Sequence, residues 1–222
     1  MVNSKHAFWQ ALVFTIVIFL IGALMGFFLE NSRADKIQLE LMNSEINVLD
    51  EQLRNKIVED FNLSCEHAVK STFEFADKIY WDAIKLEKYD STSKFTETLK
   101  EIHKRYDLLR VILWSESIRL KETCGADFHT IIYLFDYDSD NVNVKSEQLA
   151  FSRLLFDIKK NYPDKIILIP IAANLDLDSV NLIMTAYNIT HRPAVIADES
   201  SVITEILNYR ELENIIFKSN KR

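Results

Sequence analysis

Between Ala7 and Leu29 there is no charged residue, and only Gln10 and Thr15 interrupt the apolar run. As an α-helix these 23 positions reach about 34 Å, enough for the ~30 Å hydrocarbon core of a bilayer. A cleaved signal peptide has a shorter apolar region ending in small residues. This one ends Gly26-Phe27-Phe28-Leu29-Glu30, so a retained single-pass anchor over residues 1–30 is expected. Lys5 and the amino terminus precede the run, and Arg33 and Lys36 follow it. Glu30 and Asp35 count for little in the positive-inside rule, so the balance favours a cytoplasmic N-terminus and an extracytoplasmic body. Gly22 and Gly26 have the GxxxG spacing that lets two membrane helices approach closely, a spacing that also arises by chance in membrane helices.

The chain is 48% hydrophobic and 27% charged, a mixture that suits a folded, water-soluble body beyond the anchor. It suits neither a disordered tail nor a polytopic membrane protein. A net charge of −7 argues against nucleic-acid binding, which needs a basic surface. The basic residues from Lys218 to Arg222 read as a short solvated tail.

Only three glycines and three prolines occur, and none lies between Ser32 and Thr123. Long helices are expected there, giving an all-α stalk and helical hairpin over residues 31–125. Leu39, Met42, Ile46, Leu49 and Leu53 alternate steps of three and four, the a/d seam of a coiled coil. The step changes at Ile57 and Phe61, so the seam is about two heptads long. It fits a stalk helix packing on its own domain or, together with Gly22 and Gly26, a parallel homodimer. A second helix is expected from Ser64 to Lys88, with Cys65, Ala68, Val69, Phe73, Ala76, Tyr80 and Ala83 on one face. Tyr89 to Ser93 form the turn, with Asp90 or Ser91 as N-cap of a third helix. That helix carries Phe95, Leu99, Ile102, Tyr106, Leu109, Leu113 and Leu120 inward and ends at Gly125, a C′ residue. The aromatic residues Phe73, Tyr80, Trp81, Tyr106 and Trp114 read as packing between two antiparallel helices rather than as a ligand cage.

Cys65 begins the second helix and Cys124 ends the third. In an antiparallel hairpin the two stand at one level, within reach of a disulfide that an exported body would favour. Two buried thiols are the other reading. A metal site lacks ligands, since no His or Cys cluster accompanies them.

After His129 the texture becomes that of an α/β domain over residues 126–222. Thr130–Phe135 and Lys165–Ala172 read as buried strands, Ser146–Asn161 and Ser179–Tyr187 as helices. Leu149, Leu154, Leu155 and Ile158 are expected inward. Ala194–Ala197 and Val202–Ile206 follow as further strands, and Tyr209–Phe217 as a closing helix. The order β-α-β-α-β-β-α begins with a crossover and ends with a hairpin, so the sheet should be mixed.

This order, with Tyr187-Asn-Ile-Thr-His-Arg-Pro193-Ala-Val-Ile ahead of the third strand, resembles the thioredoxin-like family over roughly Asp127 to Phe217. The resemblance implies a cis peptide at Pro193 and a peptide groove beside His191 and Arg192. It also implies a Cys-x-x-Cys between the first strand and its helix, where a helix N-terminus lowers the pKa of the attacking thiol. Here that segment reads Asp138-Ser-Asp-Asn-Val-Asn-Val-Lys-Ser-Glu-Gln148 and holds no cysteine. Setting Gln148 three residues beyond the second cysteine position puts Val142 and Lys145 where the pair belongs, and no shift of register supplies a thiol. A redox-inactive interaction or scaffolding protein at the membrane surface is therefore expected. The alternatives are an oxidoreductase-related protein using Cys65 and Cys124, or a structural subunit of a membrane complex.

Other signals are weak. Asp136, Asp138 and Asp140 have D-x-D-x-D spacing but lack the later Gly and Glu of an EF-hand loop, so neither a metal nor another cofactor is expected. Asn62 and Asn188 sit in N-glycosylation sequons. His6, His67, His103, His129 and His191 share no spacing.

Overall fold

The computed structural model describes residues 4–60, 64–90 and 96–218. Phe61, Asn62, Ser91, Phe95 and the tail beyond Lys218 lie outside the described residues. The chain divides into two compact units, Met1–Asp50 and Glu51–Arg222. The expected boundary at residue 125 thus falls inside one unit, for a reason given below.

Helix α1 spans Ser4–Asp60. Within it Phe8–Leu29 is long and apolar enough to cross a membrane, by length and composition. Its side chains are exposed, as are Leu39, Met42, Ile46, Leu49, Leu53 and Ile57 farther along.

In the second unit, α2 (Cys65–Asp90) and α3 (Thr96–Cys124) form where the sequence has no helix breaker. Helix α2 runs through Tyr89, so Asp90 is its last residue rather than an N-cap. Gly125 follows α3 with φ 59°, the left-handed C′ conformation that glycine adopts without cost. On α2 the buried line is Ala68, Thr72, Ala76 and Ile79. Val69, Phe73 and Tyr80 are half-buried, and Cys65 is exposed, which narrows the expected stripe. On α3 the buried positions include Leu99, Ile102, Tyr106, Leu109 and Leu113. His103, Asp107, Arg110 and Ser117 are buried with them.

The sheet strands are β1 (His129–Phe135), β2 (Ile166–Ala172), β3 (Ala194–Ala197) and β4 (Ser201–Ile203), in the order β2-β1-β3-β4. β1 and β2 are parallel, while β3 pairs antiparallel with β1 and with β4. This is a mixed sheet in an α/β domain. Helices α4 (Val142–Asn161), α5 (Asp178–Ala186) and α6 (Tyr209–Lys218) complete it. Pro170 lies in β2, an edge strand of the sheet, where a missing N–H is tolerated.

One core joins Ile131, Tyr133, Ile166 and Val195 of the sheet to Phe151, Leu155 and Ile158 of α4 and Leu212 and Ile216 of α6. Alternation sends Ile132 and Leu134 to the other face, where they are also fully buried. Helix α3 packs on β1, β2 and α5, and α2 packs on β2. The hairpin therefore shares its core with the sheet, which is why the two fall in one compact unit.

Helix α4 starts at Val142, four residues before the expected start, because Asn141 caps it and accepts a bond from Asn143 N at 3.0 Å. Leu149 is exposed and Phe151 takes the inward place. Strand β4 stops at Ile203, leaving Ile206 exposed.

Candidate functional site

Antiparallel pairing sets Leu134 against Ala194, so the C-terminal end of β1 lies beside the turn that precedes β3. The Arg192–Pro193 peptide in that turn is cis. Pro193 is buried, Arg192 half-buried and His191 exposed. The neighbouring bend, from Asp136 to the start of α4, is held by carboxamides. Gln148 accepts from Asp136 N at 3.1 Å and donates to Asp136 O at 3.0 Å. Asn174 does the same for Tyr137, at 2.7 and 2.9 Å. Arg192 Nε donates to the Asp136 carboxylate across the gap between bend and turn.

Val142 and Lys145 stand exposed in the first turn of α4. The sequence-predicted residues 136, 142, 145, 191, 192 and 193 thus gather at one end of the sheet. What they offer is main-chain groups, one ion pair and an exposed imidazole. Nothing there is a thiol.

Cys65 and Cys124 are joined as a disulfide with Cα atoms 5.6 Å apart, and no cysteine is free. The bond shares a surface depression with Asp127 and Asp164, which lie just before β1 and β2. It therefore sits at the N-terminal end of the sheet. Strand β1 has seven residues, so the opposite end is about 20 Å away.

Asn188, of the sequon, is exposed with φ 53° and closes α5 through its N–H to Thr185 O at 3.2 Å. Asp138 and Asp140 are exposed. Among the described residues no three His, Cys, Asp or Glu side chains converge as a metal-ligand set.

Two polar clusters carry no sequence motif. At the disulfide end of the sheet, His129 Nδ1 lies 2.5 Å from Asp198 Oδ2. Lys121 Nζ donates to Glu199 at 2.7 Å, Thr130 Oγ1 at 3.0 Å and Asp198 at 3.3 Å. Trp114 Nε1 donates to Glu199 at 2.9 Å, and the Thr130 hydroxyl donates to the same carboxylate. Burial pushes the Asp198 carboxyl up, but the hydrogen bond and charge of His129, with Lys121 and the Thr130 N–H, together hold it below its ordinary value. With every member paired, this cluster locks the β3–β4 turn to α3 and β1.

The second cluster is on α3. Arg110 Nη1 donates to Asp107 Oδ1 at 2.7 Å, both side chains being about 95% or more buried. Asp107 Oδ2 accepts from Ala172 N at 3.2 Å, tying α3 to the end of β2. Burial raises the Asp107 carboxyl, against the pull of Arg110 and the Ala172 N–H.

No family model matches this chain, and no curated protein is similar to it in sequence.

Proposed function

We propose that this chain is a membrane-anchored protein whose C-terminal domain is thioredoxin-like without redox chemistry and serves protein interaction at the membrane surface. The observation that carries this reading is the sulfur-free bend from Asp136 to Gln148, set against the turn at residue 193. The strand order β2-β1-β3-β4, its parallel and antiparallel pairs, and a proline directly before β3 support the likeness. The Phe8–Leu29 segment supports an anchor. A disulfide in the body favours an oxidising, extracytoplasmic side.

Loss of the cysteines leaves the turn's main chain in place. In the thioredoxin-like family such a turn pairs with extended polypeptide, and His191 and Arg192 border it here. The rival redox reading for Cys65 and Cys124 loses support from their position, at the far end of the sheet from residues 142 and 193. A second reading, self-association, is favoured by the exposed row from Leu39 to Ile57. Under oxidation in membranes, Leu49→Cys should then give a cross-linked dimer, and a monomer would rule this out.

The interaction reading is tested with the full chain in nanodiscs. A labelled, permanently unfolded polypeptide should bind saturably by fluorescence anisotropy. A photoreactive residue at 191 should capture it, and one at exposed position 122 should not. Absence of saturable binding, or capture from 122 alone, overturns the reading.

A further inference from the structure

Helix α4 carries two apolar stripes, and the core accounts for one of them. Phe151, Leu155 and Ile158 are buried against the sheet. A helix lying on a core normally turns a polar side to solvent. Here Val142, Leu149 and Phe156, spaced seven apart, line the opposite side and are 73%, 52% and 42% exposed. The line runs about 21 Å along the helix. Single exposed apolar residues are ordinary, whereas an aligned set marks a contact surface.

The charges beside this line have one sign. Lys145, Arg153 and Lys160 are all exposed, and the helical turn places them within about 40° of Leu149. The two carboxylates of α4, Glu147 and Asp157, stand about 160° and 80° round the helix from Leu149. In a chain of net charge −7 this face is locally cationic, which selects an acidic partner. A cleft of about 510 Å³ opens along one side of the line, with Lys145, Leu149 and Ser152 on its α4 wall and Tyr80 on its α2 wall. Tyr80 also stacks on Phe156, with ring centroids 6.5 Å apart, and so carries the apolar surface across to α2.

We infer that this face of α4 docks an amphipathic helix of a partner protein. The partner's apolar stripe lies on Val142, Leu149 and Phe156, and its flanking Asp or Glu residues meet Lys145, Arg153 and Lys160. A helix satisfies its own backbone, whereas an extended segment laid on helical side chains would leave its N–H and C=O groups unpaired. The cleft beside Leu149 seats a side chain of the incoming helix, a feature that a flat lipid surface would not use. The face begins at Val142 and Lys145 and runs away from the turn at residue 193, and the inference does not rest on polypeptide binding at that turn.

Fluorescence anisotropy with the full chain in zwitterionic nanodiscs tests the inference. The probe is a labelled, stapled synthetic helix with a line of leucines flanked by glutamates; its twin has lysines in place of the glutamates. The glutamate helix should bind saturably and at least tenfold tighter than the lysine helix. The triple change Lys145→Glu, Arg153→Glu and Lys160→Glu should reverse that preference, and a reversal cannot arise from misfolding. Leu149→Asp should weaken both helices at least tenfold. A photoreactive residue at 152 should capture the glutamate helix, and one at exposed position 182 on α5 should not. In nanodiscs of brominated phosphatidylglycerol, a fluorophore on Leu149→Cys should stay unquenched; quenching would give the face to the bilayer and overturn the inference. Lack of saturable binding, equal affinity for the two helices, an unreversed preference or capture from 182 alone would overturn it as well.

Discussion

Arg192 is ion-paired with Asp136, so the residue before the turn proline is tied to the residue that follows β1. On the thioredoxin-like reading proposed above, these two segments stand where an oxidoreductase would frame its reacting sulfurs. Here a charge pair bridges them, and two carboxamides, Gln148 and Asn174, hold the bend rigid from below. The pair is partly buried, with side-chain exposures of 28% and 19%. Arg192→Ala should therefore destabilise the domain by about 1–2 kcal/mol, between the values for exposed and fully buried charged hydrogen bonds. Urea unfolding followed by tryptophan fluorescence measures this. A change within error would show that the bend holds without the bridge.

The Cys65–Cys124 bond spans a sequence separation of 59. Replacing both residues by alanine should lower stability by about 3–4 kcal/mol through the larger entropy of the unfolded chain. Reductant should lower the wild-type midpoint to that of the variant and leave the variant unmoved. A disulfide without structural weight would leave all midpoints alike.

Asp198 sets the acid response. Its carboxyl titrates below the ordinary 3.8 in the folded chain. The stabilisation it gives is thus fully present above that unfolded value and is lost as pH falls through the depressed folded value. Asp198→Asn should cost about 1–3 kcal/mol at neutral pH, and the gap from wild type should close below pH ~4. A gap that stays constant down to pH ~2 would contradict the His129–Asp198–Lys121 arrangement.

Restoring sulfur tests the likeness of the bend to an oxidoreductase loop. Val142 and Lys145 are three apart in the first turn of α4. The double change Val142→Cys and Lys145→Cys should place two thiols at a helix N-terminus, where one is activated. A gain of at least tenfold in insulin reduction over wild type is expected. If the new pair forms no disulfide and shows no activity, residues 142 and 145 do not occupy the positions assigned to them.

Much of this architecture was legible because apolar runs coincide with clear punctuation. β1 and β2 are short runs of Ile and Leu bounded by polar residues, and α2 and α3 fill a stretch without Gly or Pro. The start of α4 was not legible from periodicity, because its first residue, Val142, is apolar yet exposed; the cap Asn141 was the usable signal. Asp198 and Glu199 turn the β3–β4 hairpin with φ of 45° and 56°, although neither is glycine. Asn208 and Glu211 bond each other's backbone N–H at 3.0 Å, a capping box written as Asn-x-x-Glu ahead of α6. The polar residues His103, Asp107 and Arg110 recur at the same helical period as their apolar neighbours on α3. Their burial follows from packing on β2 and from Ala172 N, 65 positions away. Local sequence carries no trace of that partner.

On the proposed function this domain cannot exchange disulfides. Insulin reduction by the full chain in nanodiscs, beside the Cys65→Ala/Cys124→Ala variant, measures it. Both should match the reductant-only background. Turnover by the wild-type chain that disappears in the double variant would contradict the claim and return Cys65 and Cys124 to the centre of its chemistry.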